Sequence, residues 1–155
     1  MAGRIAARLA ELGIVLPEPA QPVANYVPHV VSGHLVVISG QLPIRDGKIA
    51  YTGKVGADLS VEGGVQAAQL CVINLIAQLA AATEGDLDRV VQVVRLGGFI
   101  ASPPEFTQHA AVMNGASDLA VAVFGDAGRH ARTTIGVASL PLDAAVEVEG
   151  LFRIA

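Results

Sequence analysis

Two apolar segments with helical periodicity constrain the fold of this chain more than any other feature, because a strand-like run follows each of them. Ser60 is the predicted N-cap of the first helix, which extends to about Ala82. Apolar residues at helical spacing predict its buried face, namely Val65, Ala68, Val72, Leu75, Ile76 and Leu79. In the strand-like run that follows, Gly97-Gly98 predicts either a β-bulge or a close backbone approach.

The second helix is predicted to begin at Ser102-Pro103-Pro104-Glu105. Serine suits the cap, proline the first helical position, and glutamate the third position of a capping box. Gly125 is predicted to end this helix. The segment Arg132–Glu149 then reads as two strands, about 132–140 and 144–154, joined as a hairpin by a Pro-Asp turn.

The segments before the first long helix complete the predicted order. Met1–Gly13 is predicted as a short amphipathic helix, and a proline-rich connector follows it to residue 22. Short strands are predicted over 26–31 and 35–39, with a hairpin turn at Arg45-Asp46-Gly47-Lys48. This order indicates one α+β domain over 1–155, with two long helices on one face of a mixed sheet.

Composition indicates the class of partner. The chain is 52% hydrophobic and 15% charged, so the second face of the sheet is also expected to be apolar and to bury against other copies in a homo-oligomer. A net charge of −4 without a basic track argues against nucleic-acid binding, and no membrane span is expected. Cys71 is expected in the core, and a lone cysteine fits a reducing, cytoplasmic compartment.

The arginine at the head of the penultimate strand is the sharpest candidate for chemistry. A planar guanidinium offers two parallel donors, so Arg132 is a good receptor for a carboxylate. Alternation places Glu147, Glu149 and Arg153 on one face of the last strand. On spacing alone, without the register, an ordinary surface ion pair between Arg132 and Glu147 is the favoured interpretation.

The other candidates have two interpretations each. Ser39-Gly40-Gln41 is either a plain turn or a strand end that presents backbone N–H groups to a ligand, and Tyr26 is either structural or part of a pocket wall. The four histidines lack metal-ligand spacing, although His130 stands two residues before the arginine. No dinucleotide or phosphate-loop fingerprint is present, and neither metal nor cofactor is expected.

Three stretches together resemble the Rid family, also called the YjgF family: Val36-Val37-Ile38-Ser39-Gly40-Gln41-Leu42-Pro43, Arg132-Thr133-Thr134-Ile135-Gly136-Val137-Ala138-Ser139-Leu140-Pro141 and Val146-Glu147-Val148-Glu149. The N-terminal helix and His130-Ala131-Arg132 resemble a longer subgroup, often described as endoribonucleases. The resemblance implies a chorismate-mutase-like α+β fold and a homotrimer whose sheets form a central barrel, with ligand clefts between subunits.

The resemblance also implies roles for individual residues. Arg132 would bind a substrate carboxylate, Glu147 would position a water, and Tyr26 would close the cleft from the neighbouring subunit. Ser39 and Gly40 would line the pocket. The residues beside the arginine, Thr134 and His130, are further candidates for substrate binding.

This chain departs from the family pattern at two positions. Thr134 stands where the family usually has a cysteine, and Pro104 where it has an asparagine just before the second long helix.

Three functions are therefore open. The favoured one is the hydrolysis of reactive enamines and imines, such as 2-aminoacrylate, to 2-oxo acids and ammonia, because an electrophilic imine mainly needs orientation and a water. The alternative is a trimer that binds small carboxylate metabolites without turnover. Endoribonuclease activity ranks lowest, because the chain is acidic.

Overall fold

The order of helices and strands along the chain is the one that the sequence predicts. A computed structural model describes residues 3–155, so Met1 and Ala2, the first residues of the predicted N-terminal helix, lie outside the described residues. The elements are α1 (Arg4–Glu11), β1 (His29–Ser32), β2 (Leu35–Gln41), β3 (Ile44–Arg45), β4 (Lys48–Ile49), α2 (Val61–Ala82), β5 (Val90–Ala101), α3 (His109–Phe124), β6 (Ala131–Val137) and β7 (Val146–Ile154).

The main sheet has the strand order β1-β2-β7-β5-β6, and β3 and β4 form the small hairpin predicted around Asp46-Gly47. All neighbours in the main sheet are antiparallel except β5 and β6, which are parallel because α3 crosses over between them. The predicted hairpin of the last two strands is therefore wrong. A 3₁₀ turn at Pro141–Asp143 does join β6 to β7, but β5 lies between them and pairs with both.

The first long helix is the centre of the core. Ser60 caps it as predicted, since its Oγ accepts a hydrogen bond from the Gly63 N–H at 3.0 Å. The predicted inward face is buried except for Val65, which is half-buried, and Cys71 is fully buried among these residues. By length and composition α2 could cross a membrane, but 61% of its most apolar window is buried inside the fold, as in the core helix of a globular domain.

The second long helix begins later than predicted, at His109 instead of Ser102–Glu105. Each proline disfavours helical backbone in the residue before it, so Pro104 keeps Pro103 extended and the expected first turn cannot form. Ser102 also has another role: its N–H donates to the Val137 carbonyl, and its hydroxyl to the Ile100 carbonyl at 3.3 Å. Pro104 consequently stands in a loop, and not just before the helix.

The glycine pair of β5 permits close approach and does not form a bulge. A Cβ at Gly98 would overlap the Met113 sulfur, and one at Gly97 would lie 2.9 Å from Glu149 Cγ. The register shifts of β5 fall earlier, between Val90 and Arg95. Of the two predicted alternatives, the close approach is thus confirmed.

The sheet face turned away from the long helices is only partly apolar, because it also carries the charged residues Arg95, Glu147, Glu149 and Arg153. Val30 and Val37 are neighbours on this face and are 49% and 48% exposed, and Ile135 on β6 is 47% exposed. The largely apolar second face that the composition predicted is therefore found only in part, since apolar side chains share this face with an ion pair.

Candidate functional site

One group of candidate residues lies on β6, on the side that faces α3. Alternation along the strand turns Arg132, Thr134 and Gly136 to this side. The half-buried Arg132 guanidinium lies against α3, where Nη1 donates to Ser117 Oγ at 3.1 Å and Nη2 donates to the Ala110 carbonyl at 3.4 Å. Within residues 3–155 this guanidinium has no acidic partner.

His130 lies beside the arginine but is already engaged by the protein at both ring nitrogens. Its Nε2 is 2.9 Å from Ser117 Oγ, and its Nδ1 is 2.6 Å from the Gly128 carbonyl oxygen. This arrangement favours an indirect role for His130 over direct contact with a substrate.

The sequence offered no signal for two residues on the face of α3 against which Arg132 lies. Ser117 is one, because a serine inside a helical pattern looks like an ordinary surface position. Asn114 is the other: it is exposed and one turn from both Ala110 and Ser117, so it shares the helix face against which the arginine lies.

Thr134 lies on the same face of β6 as Arg132, and the next residue on this face, Gly136, lines a pocket. The Thr134 Oγ1 is buried and finds no hydrogen-bond partner in the described part of the chain. Beyond it, a Cβ at Gly136 would lie 2.5 Å from His109 Nε2, so the absence of a side chain makes room for this imidazole. His109, Lys54 and Phe106 are among the residues that line a pocket of about 540 Å³ there.

The second group of candidates lies at the end of β2. Tyr26, Ser39 and Gly40 line a common groove of about 450 Å³, and the Tyr26 side chain is 58% exposed there. Between Ile38 and Gln41 the register of β2 against β7 shifts by one residue, so Ser39 and Gly40 form a β-bulge. The Ser39 hydroxyl donates to the Val27 carbonyl at 3.0 Å, which holds the Tyr26 segment to the bulge.

Glu147 adjoins this groove through Gly40. A Cβ at Gly40 would lie 2.8 Å from Glu147 Cδ and would overlap Oε1, so the carboxylate lies directly over the glycine. Burial, and next the charge of Glu149, raise the pKa of the Glu147 carboxyl. A carboxylate that is held half-buried with a raised pKa is a better proton acceptor than an ordinary one.

The two groups do not meet within one chain. Arg132 faces the helices, whereas Glu147 faces the open side of the sheet. Their groups also lie on opposite sides of the β7–β5 pair, and β2 and β6 are about 14 Å apart at about 4.8 Å per strand. The surface ion pair between Arg132 and Glu147 is therefore not formed within the chain, and the ion pair of the open face joins Arg95 to Glu149 at 3.3 Å.

Comparison with known proteins identifies the class to which this fold and these residues belong. A family model described as YjgF/chorismate-mutase-like, putative endoribonuclease, matches residues 6–153. Protein TCP17 of Trypanosoma cruzi is 50% identical over 153 residues, which are 98% of this chain and 95% of that protein. The chain belongs to the YjgF/chorismate-mutase-like family.

Two solved structures share the fold over nearly the whole chain. The protein Atu1372 of Agrobacterium tumefaciens, whose function is unknown, is 49% identical with a TM-score of 0.92 over 97% of this chain and 92% of that one. A protein of Shewanella oneidensis MR-1, likewise named a putative endoribonuclease, is 36% identical with a TM-score of 0.94 over 98% of this chain and 100% of that one.

Proposed function

We propose that this protein hydrolyses reactive enamines and imines of 2-amino acids to 2-oxo acids and ammonia, in clefts between the subunits of a homotrimer. One observation carries the proposal: a half-buried arginine is held by a hydroxyl and a carbonyl, with no acidic side chain of the described residues to neutralise it. Such a guanidinium is prepared to bind a carboxylate from a ligand.

The chemistry needs little beyond orientation and water. An enamine becomes the imine when its carbon takes up a proton and its nitrogen gives one up, and water then adds to the imine carbon. The carbinolamine that results loses ammonia and leaves the 2-oxo acid. Arg132 would fix the substrate carboxylate, while the Glu147 carboxylate would accept a proton from the attacking water and return it to the departing nitrogen.

The separation of the two groups supports a shared cleft between copies. A substrate that is bound to Arg132 needs a proton acceptor, and Glu147 of the same chain lies on the other face of the sheet. In a head-to-tail contact, the β6 edge of one copy would instead approach the Tyr26–Gly40 groove of the next. The exposed apolar side chains of this face, Val37 and Ile135 among them, are part of the surface that such an assembly would bury.

The first test is the release of ammonia from 2-aminoacrylate generated in situ. Wild type should accelerate the release, and Arg132→Ala should abolish the acceleration without changing the oligomer. Arg129→Ala is the matched control, because Arg129 is an exposed arginine in the turn just before β6 and forms an ion pair with Asp126. Equal rates for wild type and Arg132→Ala would contradict the role of the arginine.

A mixing experiment tests whether the cleft is shared. Arg132→Ala and Glu147→Ala should each be inactive, but their subunits exchanged together should regain about a quarter of the wild-type activity, since one cleft in four then combines an intact arginine with an intact glutamate. No recovery after proven subunit exchange would exclude a shared cleft.

The same preparations address the alternative functions. A trimer that only binds carboxylates would show a higher melting temperature with pyruvate, by mass action, but no turnover of any imine. The endoribonuclease name of the family has less support in this chain, because its net charge is −4. RNA cleavage that persists through repurification and disappears in Arg132→Ala would reverse this ranking.

A further inference from the structure

We propose that Ser117 and His130 are positioning residues, which hold the Arg132 guanidinium in the orientation that receives the substrate carboxylate. This inference rests on the proposed function in one respect, namely that Arg132 binds a carboxylate. It assigns His130 a role through Ser117 and Arg132 instead of direct contact with the substrate.

The hydrogen bonds form a directed chain. The Gly128 carbonyl can only accept, so His130 Nδ1, at 2.6 Å, carries the proton of the neutral imidazole. Nε2 is then the acceptor, and the Ser117 hydroxyl donates its single proton to it across 2.9 Å. The lone pairs of Ser117 Oγ are consequently left to accept from Arg132 Nη1 at 3.1 Å.

The chain is anchored at its far end. His130 is linked through Gly128 to the turn between α3 and β6. Gln92 of β5 ties that turn to the sheet, since its Nε2 donates to the Arg129 carbonyl at 2.5 Å. The only acid paired in this turn is Asp126, which is fully exposed and lies 3.7 Å from the Arg129 guanidinium, so it does not compete for Arg132.

The arrangement leaves the arginine both oriented and available. Two of its five N–H donors are used, one on Ser117 and one on the Ala110 carbonyl, so three remain for a ligand. A long side chain that is fixed before the ligand arrives loses less conformational freedom on binding, which favours affinity. Neutral acceptors achieve this without the charge neutralisation that an acidic partner would cause.

The experiment measures the dissociation constant of pyruvate, a 2-oxo acid product, by calorimetry with the full-length protein. Ser117→Ala and His130→Ala should each weaken binding about tenfold, the order expected for one misplaced charge-assisted contact. The double variant should also lose about tenfold instead of a hundredfold, because both residues act through one chain. Ser117→Thr keeps the hydroxyl and should bind as wild type.

Two controls separate positioning from folding. Asp118→Asn changes the adjacent exposed position of α3 and should leave pyruvate binding unchanged, and the melting temperature and oligomeric state of every variant should match wild type. With the imine substrate, Ser117→Ala should raise KM more than it lowers kcat, because it disturbs the anchor and not the proton acceptor.

The outcomes distinguish this inference from the proposed function. If Ser117→Ala binds pyruvate as wild type while Arg132→Ala does not, the arginine is the anchor but the positioning chain is overturned. Losses that multiply in the double variant also overturn it. If pyruvate binding follows the expected pattern and no imine is turned over, the positioning chain stands and the deaminase activity fails.

Discussion

The Glu147 carboxylate lies where a side chain of residue 40 would be, and Gly40 is what permits this contact. An ideal Cβ at this glycine would be 2.8 Å from Glu147 Cδ and would overlap Oε1. The Glu147 carboxylate of β7 thus packs directly against the backbone of the bulge at the end of β2. The candidate site therefore requires a glycine at position 40.

Gly40→Ala should therefore displace the Glu147 side chain. We expect the variant to lose most of its imine hydrolysis and to be destabilised by about 1–3 kcal/mol, the usual cost of overpacking, measured by urea unfolding. In a Glu147→Ala background the added methyl group has room, so the same glycine substitution should cost far less stability. An equal cost in both backgrounds would show that the two residues are not coupled.

The free energy of unfolding should depend on pH through the titration of Glu147. Its pKa is raised by burial and next by the charge of Glu149, so this group favours the folded state below its unfolded pKa, about 4.3, and loses that contribution as the pH rises through the raised value. Wild type should consequently lose stability relative to Glu147→Gln as the pH increases from about 4 toward neutrality.

Urea unfolding of the two proteins at a series of pH values measures this difference. Glu105→Gln, in the exposed loop before α3, is the matched control. A difference between wild type and Glu147→Gln that is independent of pH would mean that the carboxyl is solvated like an exposed one.

Cys71 should be unreactive toward thiol reagents in the native protein. It is fully buried, and burial followed by the charge of Glu147 raises its pKa well above the ordinary value, so little thiolate is available to react. Labelling by Ellman's reagent should follow global unfolding across a urea titration, monitored beside circular dichroism. Rapid labelling before the unfolding transition would show that α2 opens locally.

Asp88 should stabilise the N-terminal helix α1 by accepting hydrogen bonds from its first N–H groups. Its carboxylate accepts hydrogen bonds from the N–H groups of Arg4 at 2.9 Å and Ile5 at 2.8 Å, and these two bonds are the main cause of its lowered pKa. Asp88→Ala should therefore speed amide hydrogen exchange over residues 4–11 while the sheet stays protected. In wild type, the same faster exchange over residues 4–11 should appear as the pH falls below about 4, since protonation of Asp88 removes the negatively charged acceptor. Asp126→Ala, in another turn, should leave exchange in α1 unchanged.

Local patterns predicted most of the elements, because periodicity and caps act over a few residues. Ser60 caps α2 as expected, and the hairpin at Asp46-Gly47 forms. Pro103-Pro104 was misleading because the features of a helix start are present, while the second proline prevents the first from being helical.

The pairing of the last strands lay beyond sequence reasoning for a different reason. A short connection usually joins neighbouring strands, but the crossover through α3 places β5 between β6 and β7. The faces of Arg132 and Glu147 therefore became known only from the topology. Ser117 was missed because its importance comes from a contact with residues 13 and 15 positions away.

The separation of Arg132 from the Gly40–Glu147 corner also restricts how copies can associate. If the two groups form one cleft, each contact joins two different surfaces, so it cannot be the self-complementary contact of a twofold dimer. Such contacts end only when the chain of subunits closes on itself, and otherwise extend into a filament. If the candidate site is divided between two surfaces in this way, a closed assembly is a ring with as many clefts as subunits.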